Sequence, residues 1–479
     1  MLRLRFQAVL LLFTLAVLVP SAVAQTVIAT VTAGVQPSAT AVNPVTNTVY
    51  VVNSNCFNNG GCSSTGSVTV INGATNLPTA TVNVGALPVA IAVNVQTNQI
   101  YVANECGTDI TCASPGTVTV IDGATNNTTT VGVGAFPLAV AVNPITNQIY
   151  VANECGTDIT CASPGTVSVI AGGSNNTGSV QVGYYPTDVE VDSATNQIYV
   201  VNNCGNDNGC ASAGTVTVIN GVSDNTTNVN VGVQPYVAAI NSVTNMIYVP
   251  NDCGNDLTCQ SLGTVTVING GNNSTSTLTV GAFPYGAAVN AVTNNIYVVN
   301  NCGSDIGCGS PATVSVIAGG TNNIQTVTIG NYNETSINST PAIDAVTNQI
   351  YVPNYSDATV TDIDGASNNT TLVDVGNRPR AAAMNSLTNR VYVDNYTDGT
   401  VSVIAGTGNP VPLQLFSITP CRLIDTRSNG GPIPGQTSRI FNLPQLAQSD
   451  SPQCANLSSA VAYSLNVTVV PPSGGTLAI

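Results

Sequence analysis

The sequence predicts an all-β fold, an eight-bladed β-propeller of four-stranded blades followed by a small incomplete β domain, and three observations predict it. One string, Thr-Asn-x-(Ile/Val)-Tyr-Val-x-Asn, recurs eight times, with its tyrosine at 50, 101, 150, 199, 248, 297, 351 and 392. Each repeat contains four short alternating runs separated by turn residues, and no helical period appears. Val, Ile and Thr, the residues of half-buried pleated surfaces, are abundant throughout.

The repeat from Gly134 to Val182 gives the elements in order. Leu138–Asn143 alternates as a first strand, Pro144-Ile145-Thr146-Asn147 turns, and Gln148–Asn153 is the second strand. A polar loop with two cysteines leads to a third strand, Thr166–Ala171. The turn at Gly172–Asn176 then leads into a fourth, Gly178–Val182. Four strands in about 49 residues is the blade of a propeller. The last two repeats carry a short hairpin in place of the cysteine loop (Tyr355-Ser356-Asp357 and Tyr396-Thr397-Asp398), so that loop is an insertion on a common blade. The seventh repeat has extra residues around Tyr332 to Ile337.

Closure has its own signal. Thr26–Ala33 resembles a fourth strand with no first three of its own, while the eighth repeat supplies three strands ending at Ala405. Pairing the two closes the ring and leaves no long exposed edge.

The ends read differently. Residues 1–24 have the form of a secretory signal: Arg3 and Arg5, the apolar run Phe6–Val19, and Ala22-Val23-Ala24 as a cleavage site. Residues 25–412 form the propeller, and 413–479 a C-terminal β module that breaks off where its next strand should begin. No stretch is long and apolar enough for a transmembrane segment. Secretion, or display at the cell surface, is the expected localisation.

Charge excludes several functions. Only 6% of residues are charged, and there is no Lys, His or Trp. All arginines outside the signal lie at or beyond Arg378, so Gln25–Asn377 carries 19 acidic side chains and no basic one. Nucleic acid and anionic membrane surfaces need cations on the protein, so neither is an expected partner. A Ser-His-Asp or Cys-His site cannot be built, nor a Schiff base. Carboxylate-only hydrolysis survives as a chemistry, but no pair of acids stands out from the repeated positions. The chain is expected not to be an enzyme and to need no cofactor.

Fourteen cysteines fit an oxidising compartment. Twelve form six pairs at one spacing, Cys56/Cys62, Cys106/Cys112, Cys155/Cys161, Cys204/Cys210, Cys253/Cys259 and Cys302/Cys308, while Cys421 and Cys454 stand apart. Five intervening residues and no histidine speak against zinc, so local disulfides are expected.

With these residues in view, Tyr-Val-x-Asn in eight copies, the Thr-Asn before it and crossovers such as Val84-Gly85-Ala86-Leu87-Pro88 resemble the YVTN-type β-propeller repeat over residues 26–406. The resemblance implies a propeller of the kind found in secreted and surface proteins, and no single activity. The string Pro420-Cys421-Arg422-Leu423-Ile424-Asp425-Thr426-Arg427, with Ala462–Val470, resembles a C-terminal module of bacterial surface proteins.

Two readings of the loops stand side by side. Five follow Cys-Gly-x-Asp-x-x-Cys, placing Asp109, Asp158, Asp207, Asp256 and Asp305 at equivalent sites, with Glu105, Glu154 and Asp252 just before the first cysteine. If a cation such as calcium bound, these aspartates would be its ligands. One or two carboxylates per loop are few for calcium, and the favoured reading is that each Asp caps its own turn. The tyrosines are expected to pack between blades rather than stack on sugars. The expected function is a non-catalytic interaction or structural module of the cell envelope. It would present the cysteine-loop face to an extracellular protein or cell-wall polymer. A cation- or carbohydrate-binding module on the same face is the alternative.

Overall fold

A computed structural model describes residues 25–56, 62, 64–330 and 340–406. The expected signal (1–24), the extra residues around 332–337 and the C-terminal module (413–479, with Cys421 and Cys454) lie outside the described residues. The described residues form eight four-stranded antiparallel sheets and no helix.

Blade 3 is typical. Its strands are β10 (Pro137–Asn143), β11 (Gln148–Asn153), β12 (Thr166–Ala171) and β13 (Thr177–Gln181), hydrogen-bonded in that order. The second and third strands have the bounds read from the sequence, and the fourth is shifted by one residue. The inner strands β2 (Pro37–Asn43), β6 (Pro88–Asn94), β10, β14 (Pro186–Asp192), β18 (Ala239–Asn241), β22 (Pro284–Asn290), β26 (Ala342–Asp344) and β30 (Pro379–Asn385) neighbour one another in a closed ring, β30 beside β2. Blade 8 is completed as expected. β1 (Val27–Thr32) pairs antiparallel with β32 (Thr400–Ala405), Val31 opposite Val401, outside β31 (Arg390–Asn395) and β30.

Burial follows radius. Second strands are buried along nearly their whole length, inner strands are half-buried around the central channel, and fourth strands expose their threonines. All eight repeat tyrosines are wholly buried. Tyr199, for instance, packs with Val201 of its own blade and Ile247, Val249 and Ile268 of the next. At Gly270, on the hairpin of that next blade, an added Cβ would lie 2.1 Å from Asn245 Oδ1 and 2.7 Å from the Tyr199 hydroxyl, which explains glycine after Asn269.

The two asparagines of the repeated string have separate tasks. The first sits in the turn between inner and second strands in the left-handed conformation, as at Asn98 (φ 54°), which Asn tolerates better than most residues. Its side chain accepts from an asparagine of the preceding blade: Asn43 Nδ2 donates to Asn98 Oδ1 (2.7 Å), Asn94 to Asn147 (2.8 Å) and, across the seam, Asn385 to Asn47 (2.9 Å). The second, wholly buried as at Asn104, accepts from the crossover Gly85 N–H (3.0 Å) and donates to the Thr117 and Thr119 hydroxyls.

The Tyr101 hydroxyl has no hydrogen-bond partner among the described residues although the ring is fully buried. Tyr101→Phe should therefore leave stability unchanged or slightly higher, because it removes an unsatisfied polar group. Tyr101→Ala should cost about 3–5 kcal/mol by opening a cavity between blades. Denaturant unfolding of the two variants measures the difference.

Candidate functional site

The six cysteine pairs form disulfides within their own loops, each joining cysteines six positions apart: Cys56–Cys62, Cys106–Cys112, Cys155–Cys161, Cys204–Cys210, Cys253–Cys259 and Cys302–Cys308. Every such loop joins a second to a third strand. It therefore lies on the face that also carries the crossovers, as the chain direction requires. Gly107 holds the first turn at φ 60°, and its carbonyl accepts the crossover Ala86 N–H at 2.7 Å. The loop is thus tied to the chain entering its own blade.

The loop aspartates cap their own turns. Asp109 Oδ1 accepts the Thr111 N–H (2.9 Å) and hydroxyl (2.8 Å), and Oδ2 the Ala113 N–H (3.2 Å). Asp158 and Asp256 repeat the pattern with Thr160 and Thr258. Asp207 and Asp305 accept from Gly209 and Gly307. At Asp109, Asp158 and Asp256 these bonds favour the ionised form. The Thr111 and Thr160 N–H groups hold Asp109 and Asp158 below the ordinary range, and the Thr258 hydroxyl leads in bringing Asp256 to about 2. Among the described residues no three His, Cys, Asp or Glu side chains converge as a metal site would require.

Further in, at the crossovers, the acids behave in the opposite way. Burial raises Glu105 to about 7, with Glu154 adding repulsion, and burial raises Glu154 and takes Asp252 to about 7. The described arginines all belong to blade 8. Arg378 lies over the Tyr355 ring (5.4 Å) and Arg380 over Tyr396 (5.2 Å), while Arg390 Nη1 donates to Gly73 O (2.6 Å) across the seam. The rim therefore has an acidic arc at blades 2, 3 and 5 and a cationic pole at blade 8.

One pair of acids does stand out, contrary to the expectation from the repeats. Asp188 and Glu190 are two residues apart on β14, so both face blade 5. They line a cavity of about 380 Å³ in the channel, and Glu190 also lines a second of about 290 Å³. Asp188 Oδ2 accepts the Ala238 N–H of blade 5 (2.8 Å). Burial raises Asp188 to about 6 and Glu190 to about 8, the latter helped by the neighbouring Asp188 charge. The signal was present in the sequence. The positions equivalent to Glu190 are Ala41, Ala92, Ala141, Ala239, Ala288, Ala342 and Ala383, alanine in every other blade. Reading along the Tyr-Val-x-Asn string, rather than down the inner-strand column, hides it.

Comparison with known proteins is consistent with this geometry. The chain resembles hydrazine synthase of Kuenenia stuttgartiensis, at 17% identity and a TM-score of 0.51, over 78% of this chain and 97% of that one. It also resembles the β-propeller domain of Cps50 (Swd1) from Myceliophteria thermophila, at 7% identity and a TM-score of 0.49, over 80% and 100%. Identities this low speak to fold alone, and the second likeness carries no argument. No protein-family model and no curated protein matches the chain.

The carboxylates set a pH dependence. Glu105, Asp252, Glu190, Asp362 and Asp394 all have native pKa values of about 7 to 8, raised chiefly by burial, so the native state binds more protons than the unfolded chain above about pH 4. Their contribution is fully present below the unfolded pKa and is lost as pH rises through 7 to 8. Asp109, Asp158 and Asp256 act in reverse, and their contribution is lost as pH falls, through about 2 for Asp256. The melting temperature should peak near about pH 4–5 and decline towards pH 8, and Asp394→Asn should flatten the alkaline side. Scanning calorimetry across that range measures both.

Proposed function

We propose that this chain is a secreted or surface-displayed, non-catalytic interaction module that presents its cysteine-loop face to an extracellular protein or a cell-wall polymer. The observation that carries the reading is the row of six disulfide-closed loops on one face. Each is capped by its own aspartate where present and tied to a crossover. Loops fixed in this way lose little freedom on binding, and a rigid scaffold carrying them suits recognition. Near-identical loops repeated around a ring suit a repeating partner, which they would engage multivalently.

Disulfides fit an oxidising exterior. Among the described residues no helix is long and apolar enough to cross a membrane. A cation-binding role for the loop aspartates is the weaker reading, because their oxygens already accept backbone N–H groups and threonine hydroxyls.

The test replaces the loops, Glu105–Gly116 and its equivalents, with the Tyr355–Ala358 hairpin of blade 7. The ring should still fold, at a cost of about 2 kcal/mol per disulfide lost. Binding to envelope polymers in a glycan array or pull-down should fall progressively with the number of loops replaced. Binding unchanged after all six are gone would defeat the proposal.

A further inference from the structure

Two positions on the cysteine-loop face come together in blade 4 and recur in its neighbours. One is the tip of the loop, the residue after its capping aspartate. The other is the crossover residue just before the proline that opens the inner strand. In blade 4 the Tyr185 hydroxyl at the crossover donates to Asn208 Oδ1 at the tip (3.1 Å). Blades 2, 3 and 6 carry an apolar pair at the same two positions, Leu87 with Ile110, Phe136 with Ile159 and Phe283 with Ile306. Blade 5 combines Gln234 with Leu257. The residue before the aspartate drifts between copies (Thr108, Asn255, Ser304), while the tip is Ile or Leu in all four of these loops.

The core does not account for either position. The tips are exposed, from 39% at Ile306 to 55% at Leu257. Leu87, Phe136, Tyr185 and Phe283 are half-buried, and all lie in the left-handed region with φ between 49° and 52°. Bulky side chains are rare there, and a following proline pushes its predecessor towards extended backbone. Gln36, Gln234 and Arg378 adopt the same conformation at the equivalent crossovers of blades 1, 5 and 8, so this backbone does not demand an apolar side chain. The crossover residue is tied to the root of its own loop, Leu87 O accepting the Glu105 N–H and Phe136 O the Glu154 N–H, both at 2.9 Å. The disulfide and the aspartate cap hold the tip from the other side.

The polar groups of these loops are already engaged. The carboxylates of Asp109, Asp158 and Asp256 accept N–H groups and threonine hydroxyls of their own turns. What the loops present outward is aliphatic surface beside fixed negative charge, with no basic residue from Gln25 to Asn377 to neutralise it. A sugar polymer pressed on aliphatic tips would lose water from its hydroxyls without regaining hydrogen bonds. An apolar side chain flanked by Lys or Arg gains both area and charge complementarity. We infer that the loop face of blades 2, 3, 5 and 6 binds a protein segment with aliphatic anchors flanked by lysine or arginine. The inference rests on the role proposed for this face and narrows its partner to a protein.

The experiment is fluorescence anisotropy of the mature chain with a labelled amphipathic peptide of leucine and lysine, its leucine-to-serine and lysine-to-glutamate analogues, and soluble peptidoglycan fragments. Saturable binding of the leucine–lysine peptide, weakened by added salt, is expected, with the analogues and the fragments binding far less. Replacing Ile110, Ile159, Leu257 and Ile306 together by serine should weaken binding roughly tenfold or more, because their exposed area is buried only in the complex. Non-reducing peptide mapping of that variant should still find all six disulfides. Val243→Ser with Val292→Ser, on exposed turns of the opposite face, should change nothing. Phe136→Gly with Phe283→Gly should keep the melting temperature, since glycine accepts this backbone, and weaken binding. Unchanged binding by the serine variant, equal binding of either analogue, preference for the peptidoglycan fragments, or no binding of any peptide would each overturn the inference. So would a lower melting temperature with unchanged binding in the glycine variant, which would assign the crossover residues to loop packing. Envelope binding lost with whole loops but kept by the serine variant would refute this inference and leave the broader reading of the face standing.

Discussion

Six of the eight junctions of this ring share one contact, an asparagine amide that spans the gap between sheets beside a buried tyrosine. Strand pairing alone would give eight independent four-stranded sheets, each with two apolar faces. What turns them into a ring is that tyrosine and valine fill the gap while Asn98, Asn147, Asn196 and their equivalents fix the distance at the channel edge. Because the last contact, Asn385 to Asn47, must meet the first, any blade of the wrong thickness would strain all the others. The repeated string is therefore conserved from copy to copy by geometry: Asn for the left-handed turn and the bridge, Tyr for the gap, the second Asn for the crossover.

The seam shows what closure without a covalent link requires. β1 supplies the outer strand, and blade 8 alone holds the described arginines. One of them, Arg390, reaches the first blade's hairpin at Gly73 O and Asn76 Oδ1. Thr40 of blade 1 donates to the buried Asp394 of blade 8. Positive charge is confined to this blade among the described residues, which fits a junction that must be specified by side chains because the chain does not run through it.

Much of this was legible in the sequence because it was repeated. Eight copies made the strand bounds almost unambiguous, the orphan run Thr26–Ala33 announced the closure, and the fixed cysteine spacing announced the disulfides. The polar roles were less legible. An asparagine in a turn looks the same whether it merely turns or also bridges to Asn147, and only the ring brings those two side chains together. The Asp188–Glu190 pair escaped for a different reason. It is an exception to the repeat on the strand with the weakest signature, and the consensus that reveals the fold averages such exceptions away.

That contrast bears on how a symmetric ring acquires function. Seven of the eight blades carry alanine at one position of the inner strand, most of them partly exposed to the channel. Blade 4 carries glutamate there, and two cavities in the channel border it. Six junctions keep the asparagine bridge, while junctions 4–5 and 7–8, where Asp192 and Asp344 end the inner strands, do without it. Redundancy in the repeated junctions thus lets individual ones depart from the common pattern without opening the ring. The cysteine loops use the same ring differently, multiplying one rigid shape around a face. A repeated loop face and departures at inner junctions can coexist because the loops hang from second and third strands, whereas the departures lie on inner strands.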